Sequence, residues 1–505
     1  MGKNIYAMKR ARIEINIDNI AYNFEKLRNI SKCKNNVIPT IKGNAYNVGI
    51  YDIVKKLLTI KNPQKKFFVF ALKEGIELRK LFPELEKIFI LNGILEGDEE
   101  YLKKYNLTPV INSFEQLELA NKAKINEIVL QFNTGMNRSG INLNEIEKIK
   151  EYVSNNNLNV IMVMSHFCCA DNKLNPINQK QIENFKKITK FFPEDNILKG
   201  LSASDGVINF ELDNICSTCR PGLALYGYYN GLKPAYSIYS YIEYDGKNLY
   251  LPMGIANGFT SEYGNGNAYV LYNGVRIFVN SIEKDKIILD TNNKNLIGKE
   301  VIMLGNSISL MDFESMAETD IRDIVARIIS NSDKQPIDFP INVSRKRDTE
   351  DDSKFRAKAI TKDGNYESFT STILEKRIVE ENGIVGYGAT EKVKKGDKLA
   401  TFFGGYLDGL NRSISNKGCT VFVEDKNSNL VECEIFGKIS MDQTIIKVPE
   451  KDYNNIKIGA NVIIFDKEHP VERFEKATGK TKEELFFYID KSSRVSIDRI
   501  PVKVE

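Results

Sequence analysis

Eight short apolar runs, at 37–41, 67–72, 87–91, 108–111, 127–132, 159–166, 198–203 and 220–226, punctuate the first 230 residues, and most are separated by a segment of helical period. Segments 51–58, 74–81 and 178–191 repeat apolar side chains three and four apart, the spacing that gives a helix one apolar face. Continuous apolar runs of about four to eight residues suit strands buried on both sides, as in a parallel sheet covered by helices. Eight such units point to a (β/α)8 TIM-like barrel over 1–230 more than to an open doubly wound sheet, which pattern alone leaves open.

Past about residue 230 the long helical periods give way to short alternating runs broken by Gly, Asn and Asp, such as 268–271, 275–279 and 286–289, which reads as an all-β region. A charged stretch with two prolines, 333–356, reads as a linker, and β texture resumes over 357–505. The two β regions, 231–332 and 357–505, resemble each other. Ile297-Gly298, the run 301–304 and Phe313-Glu314 return as Ile458-Gly459, 462–465 and Phe474-Glu475 at a constant offset of 161. Gly254-Ile255-Ala256-Asn257-Gly258 likewise answers Gly405-Tyr406-Leu407-Asp408-Gly409. A fixed register over several matches argues for duplication. Residues 1–17 are free to pack on one of the β regions.

The formal charge of +4 over 505 residues is small and both signs are interspersed, so the concentrated basic footprint of a nucleic-acid binder is missing. Arg345-Lys346-Arg347 is followed at once by acidic residues and reads as a solvated linker. Residues 1–12 lack the apolar core of a leader peptide, and no run approaches the ~20 apolar residues of a membrane span. Seven scattered cysteines, with Cys216 and Cys219 forming a lone C-x-x-C, read as reduced structural thiols and not as a metal site. These features place the chain in the cytoplasm, without nucleic-acid or membrane partners.

Chemistry-bearing residues gather at the ends of the barrel runs. Lys42 follows the first run, Arg138 the fifth, His166 closes the sixth, Ser204 follows the seventh and Arg220 opens the eighth. Strand ends of a closed barrel converge on one face, where such barrels do their chemistry. A lysine there is also the side chain that binds an aldehyde cofactor covalently.

In this order the motifs resemble those of the alanine racemase family. Thr40-Ile41-Lys42-Gly43-Asn44-Ala45-Tyr46 is similar to its cofactor-lysine motif, and 133–140 (NTGMNRSG) to its D-T-G-M-x-R-x-G. Ser165-His166-Phe167, Ser202-Ala203-Ser204 and the run 220–227 (RPGLALYG) continue the match. Val385-Gly386-Tyr387-Gly388 resembles the segment with the catalytic tyrosine, and Gly405-Tyr406-x-Asp408-Gly409 and Met441-Asp442-Gln443-Thr444 resemble the substrate-gate segments. The resemblance covers roughly 10–230 and 357–500.

The resemblance implies a pyridoxal 5'-phosphate enzyme that interconverts L- and D-alanine by a two-base mechanism, supplying D-alanine for peptidoglycan. Lys42 and Tyr387 would be the two bases, one on each face of the substrate. A phenol's ordinary pKa of about 10 disfavours the phenolate at neutral pH, so cationic neighbours must support it. His166 and Arg220 would do so, with Arg220 also facing the cofactor ring nitrogen. Tyr46, Ser204, Gly222 and Leu223 would hold the phosphate, and Arg138, Tyr406, Met441 and Asp442 the substrate. It further implies a homodimer with a shared active site and no metal; the sequence leaves open whether Tyr387 serves its own barrel or a partner's, and the family's dimeric habit favours the partner's. Departures stand at Asn47, where many members carry a histidine, and at Asn133. Gln131 replaces a lysine that some members carbamylate, and Ser493 a phosphate-binding tyrosine. The first β region has Ile255 and Asn257 where the second has Tyr406 and Asp408. It also lacks a Gly386-Tyr387-Gly388 segment, and is expected to be a degenerate, catalytically silent copy. A racemase for another amino acid such as serine, and a non-catalytic cofactor-binding barrel, are the alternative readings; Tyr387 weighs against the second.

Overall fold

Six strands, Lys66–Val69, Lys87–Ile90, Thr108–Ile111, Glu127–Gln131, Asn159–Met164 and Leu198–Gly200, pair in parallel in chain order. In this computed structural model, which describes residues 3–8, 11–31, 33, 36–317, 356–359, 366–486 and 496–499, two further segments close the ring. Segment 37–41 bonds on one side to the Lys66–Val69 strand (Ile41 N to Phe68 O and Phe68 N to Pro39 O, both 2.9 Å). On the other side Ile38 N and Thr40 N donate to Cys219 O and Pro221 O, both at 2.9 Å. Arg220 N in turn donates to Ser202 O at 3.0 Å. Pro39 and Pro221 have no N–H to give, so these two ladders are sparse. The expected eight-unit barrel is what forms, filled by Ile38, Phe68, Phe89, Val110, Val129, Met162 and Met164. Its interior is a packed core, with Phe68 and Phe89 stacked at 4.7 Å.

Helices Ile50–Leu58, Leu72–Leu81 and Pro176–Phe191 fall on the expected periodic segments. Several strand expectations shorten, the second run ending at Val69 and the seventh at Gly200. The sixth run ends at Met164, leaving His166 just beyond the strand. The eighth run stops after Pro221, and Leu223–Tyr226 is a 3-10 helix whose Tyr226 hydroxyl donates to Ala45 O at 2.9 Å.

Two antiparallel assemblies follow. The first joins nine strands in the order Lys3–Met8, Ala11–Asn16, Tyr236–Tyr241, Glu300–Leu304, Tyr269–Tyr272, Val275–Ile282, Ile287–Leu289, Leu249–Leu251, Glu243–Tyr244. The N-terminal hairpin therefore packs on the first β region. In the second, Lys398–Phe403, Gln443–Lys447, Leu430–Ile435, Thr420–Glu424, Asn461–Phe465, Tyr366–Ile378, Arg356–Ala359 and Ser496–Arg499 are neighbours in that order, and Lys398–Phe403 also pairs with Tyr366–Ile378. Most of the 333–356 linker, and Ser493, lie outside the described residues.

The sequence offset of 161 has a structural counterpart. Each assembly carries a β-bulge at the same register, at Met303 opposite Ile238–Tyr239 and at Ile464 opposite Phe369–Thr370. Phe313 and Phe474 are both buried, on helices Leu310–Ala317 and Glu472–Thr478, not on strands as the texture suggested. Gly254 and Gly405 each open a one-turn helix, their N–H groups accepted by Asn257 Oδ1 (2.9 Å) and Asp408 Oδ2 (3.1 Å). The copies differ where the second inserts 379–397, which carries Tyr387; the first has only a short hairpin there.

Core continuity separates the two. One apolar cluster runs from the barrel's outer helices into the first assembly, joining Phe24, Leu57 and Tyr226 to Ile13, Ile238 and Phe313. The second assembly has its own core around Phe369, Val421, Ile464 and Phe474, which takes in the barrel's Phe70 and Leu95. A Cβ on Gly254 would lie 2.3 Å from Glu283 O, and one on Gly405 2.0 Å from Ser440 O. Gly254→Ala and Gly405→Ala should therefore each destabilise the protein by roughly 1–3 kcal/mol, since a filled interior yields little to an added methyl. Urea unfolding checks this; wild-type stability in either variant would contradict the equivalence of the two turns.

Candidate active site

The residue after the first barrel strand begins an unusual turn. Residues 43–47 all hold φ between 50° and 66°, a left-handed turn of which only Gly43 is glycine. Each non-glycine residue so placed costs about 1–2 kcal/mol. Local bonds hold the turn: Ala45 N to Ile41 O (2.9 Å), Asn47 N to Gly43 O (2.8 Å) and Ile50 N to Asn44 Oδ1 (3.0 Å). Buried Glu74 anchors it, accepting from Gly43 N at 2.6 Å with one oxygen and from Phe70 N and Ala71 N with the other. Nothing in the residue order signals this turn. Glu74 had a faint signal, an acid three residues after the helix cap, but nothing to say that it is buried.

The turn sets Lys42 and Tyr46 on one cavity. Lys42 Nζ forms an ion pair with Asp442 of the second β assembly, whose side chain is almost fully buried. Tyr46 lies against the opening of the 3-10 helix, where a Cβ on Gly222 would come within 2.1 Å of its hydroxyl. Ser204 Oγ accepts from Gly222 N and Ala224 N, each at 3.0 Å, so Ser204, Gly222 and Leu223 form one polar cradle. The cavity of about 870 Å³ is lined by Lys42, Tyr46, Arg138, His166, Ser204, Arg220, Tyr387, Tyr406, Met441 and Asp442 among other described residues. Every candidate residue from the sequence is thus brought to a single site.

On the opposite side stands a hydrogen-bonded line. Arg220 Nη2 donates to His166 Nδ1 at 2.9 Å and to Ser165 O, and His166 Nε2 lies 2.8 Å from Tyr387 Oη. A guanidinium has no acceptor, so Nδ1 must be the bare nitrogen and the imidazole proton sits on Nε2, donating to the phenol oxygen. Burial lowers Arg220 to about 10, which leaves it charged at neutral pH. Arg138 lies over the Tyr387 ring, 5.0 Å from its centroid, and its buried Nε has no hydrogen-bond partner among the described residues. Tyr406, Leu407 and Met441 form a small apolar cluster against Tyr46.

The second β assembly reaches this site from the same chain. Asn137 Nδ2 donates to Ile384 O (2.8 Å), Gly386 N to Met136 O (2.9 Å) and Gly388 N to Cys168 O (3.1 Å). In the structure Tyr387 meets His166 of its own chain. Asn137 and Gln181, which bonds His166 O and Thr134 Oγ1, are contacts that sequence reasoning missed.

Comparison with known proteins identifies the family. Family models described as "Alanine racemase, N-terminal domain" and "Alanine racemase, C-terminal domain" match residues 15–230 and 367–497. The alanine racemase of Rickettsia akari (strain Hartford) is 31% identical over 331 residues, covering 59% of this chain and 91% of that protein. This chain belongs to the alanine racemase family. The alanine racemase of Rickettsia prowazekii (strain Madrid E) is 36% identical over 243 residues, a match spanning 47% of this chain and 58% of that relative. Among solved structures, the alanine racemase of Bartonella henselae with covalently bound pyridoxal phosphate is similar in fold, with a TM-score of 0.57, 22% identity, 64% of this chain and 97% of that chain. That of Clostridium difficile 630 has a TM-score of 0.55 and 24% identity, covering 64% and 94%. The family models leave residues 231–366 unmatched, and these include the first β assembly.

With only two histidines in the chain, nitrogen-15 NMR can read the tautomer of His166 directly. The geometry requires Nε2–H with Nδ1 bare; an Nδ1–H tautomer would contradict the Arg220–His166–Tyr387 line.

Proposed function

We propose that the chain is a pyridoxal-phosphate-dependent alanine racemase in which Lys42 and Tyr387 are the two bases. The observation that carries this reading is the Arg220–His166–Tyr387 line facing the same cavity as Lys42. A phenol oxygen that receives a hydrogen bond from His166 and lies beneath Arg138 is an oxygen whose negative charge is stabilised. That is what a tyrosine needs in order to take a proton from carbon and return it.

The residues present fit the cofactor. Lys42 would hold it covalently; Tyr46, Ser204, Gly222 and Leu223 would hold its phosphate. The orphaned Nε of Arg138 supplies a buried donor that an oxygen of cofactor or substrate would satisfy. Bound there, the cofactor supplies an electron sink that lowers the acidity barrier at the substrate α-carbon.

The proton work belongs to the protein. On one face of the substrate, Tyr387 Oη takes or gives the α-proton while His166 Nε2–H steadies the oxygen. On the other face, Lys42 Nζ does the same. Arg220, charged but unable to release its proton readily, holds His166 in its tautomer and offers no acid to the ring nitrogen of the cofactor. Retaining the proton shuttle at the α-carbon then favours racemisation over transamination. Arg138 would bind the substrate carboxylate. Tyr406 and Met441, both nearly buried, narrow the space beside Asp442 and favour a small side chain.

D-Alanine supply for peptidoglycan is the role that follows from this activity. The seven cysteines are all free thiols, which suits a reducing compartment, and among the described residues no helix is long and apolar enough to cross a membrane.

Purified protein given L-alanine should form D-alanine until the two are equal, and should show the visible absorbance of lysine-bound cofactor. Lys42→Ala should lose that absorbance and the activity together. Visible absorbance that survives dialysis in Lys42→Ala, with the cofactor then trapped by borohydride on a peptide lacking residue 42, would assign the cofactor to another lysine.

A further inference from the structure

The first β assembly shares one apolar core with the barrel's outer helices, whereas the second builds a core of its own that takes in the barrel's Phe70 and Leu95. The contact between catalytic assembly and barrel is nonetheless extensive and specific. Beyond the three bonds around Tyr387, Thr401 Oγ1 donates to Arg138 O at 2.9 Å and Arg377 Nη2 to Gly140 O at 3.1 Å. Arg377 also pairs with Glu375, and both side chains are almost wholly buried. Burial is severe enough to raise the Glu375 carboxyl to about 7 in spite of the guanidinium. A charge pair sealed against the 133–141 loop is costly to uncover, because the ions and the loop carbonyl would all have to find new partners. Leu407 sits so close to Gly43 that a Cβ there would meet it at 2.0 Å, locking the left-handed turn under the same assembly.

The silent assembly meets the catalytic one at the mouth of the cavity. Thr260, Glu262 and Glu314 of the first and Thr478 and Lys480 of the second line the same opening. Lys480 Nζ bridges them, 2.9 Å from Glu262 Oε1 and 3.2 Å from Ser261 Oγ.

We propose that one chain forms one complete active site. The catalytic β assembly docks on the barrel of its own chain, and the silent assembly, fused to that barrel, is the fixed wall against which it docks. Lys480 and Glu262 form the clamp between them. The silent copy keeps the fold of the catalytic one without its tyrosine segment because its task is to hold, not to react. The inference rests on the reading of Lys42 and Tyr387 as the two essential bases.

Two inactive chains test it. Lys42→Ala and Tyr387→Phe chains, differently tagged, are produced in the same cell, and activity is compared with each produced alone. A site within one chain gives no recovered activity, whether or not the two tags co-purify. Recovered activity, absent from either variant alone, would mean that intact sites are built between chains and would overturn the proposal. Full activity in either single variant would instead overturn the two-base reading, a distinguishable failure. For the clamp, Lys480→Glu and Glu262→Lys should each raise KM for alanine several-fold at little cost in thermal stability, and the double variant should restore it. Single variants with unchanged KM, or a double variant no better than the singles, would remove the clamp.

Discussion

The bond between His166 Nε2 and Tyr387 Oη is the contact on which the site depends. It joins a strand end of the parallel barrel to a loop inserted into an antiparallel sheet about 220 residues later, and so fixes the register of one body on the other. The direction of the bond is set from behind, since Arg220 can only donate and thereby decides which imidazole nitrogen carries the proton. A buried guanidinium, a single histidine and a phenol then act as one unit. Removing the first would change the chemistry of the third without touching it.

Opposite this line, the protein accepts strain. Four non-glycine residues in left-handed conformation amount to roughly 4–8 kcal/mol against the fold. That sum is comparable with the net stability of an ordinary domain, so the surroundings must over-determine the turn. Glu74 does so with three backbone N–H groups, Tyr226 with a bond to Ala45 O, and Leu407 by close contact with Gly43. The return is placement. A right-handed turn would not set the Tyr46 hydroxyl against Gly222 while leaving Lys42 free to face the cavity. The strain thus gathers at the turn that follows Lys42 and is offset by the buried carboxylate of Glu74.

Much of this was legible in the residue order. The apolar runs locate all eight barrel strands because burial on both faces demands continuous apolar segments, and the motif series places Lys42, Arg138, His166, Ser204 and Arg220 at their ends. The matched pairs at an offset of 161 foresee two like assemblies, and the structure adds a bulge at the equivalent positions Met303 and Ile464. What remained hidden has physical reasons. Left-handed backbone at Asn44, Ala45 and Tyr46 has no compositional signature, because only tertiary contacts enforce it. The 3-10 helix at Leu223–Tyr226 reads as an apolar strand, since a short buried helix and a short buried strand have the same composition. The contacts that Asn137, Arg377 and Lys480 make between the assemblies and the barrel were hidden too, because these are polar residues with no periodicity to betray them.

The central claim is that a lysine and a tyrosine work on opposite faces of one α-carbon. Exchange of the α-proton with deuterated water, followed separately for L-alanine and D-alanine, tests it most directly. In Tyr387→Phe, with cofactor still bound, exchange from the L-enantiomer should fall by about 10²–10⁴-fold, the usual contribution of a positioned acid–base group, and far more than exchange from the D-enantiomer. Equal slowing of both enantiomers, or none, would contradict the account.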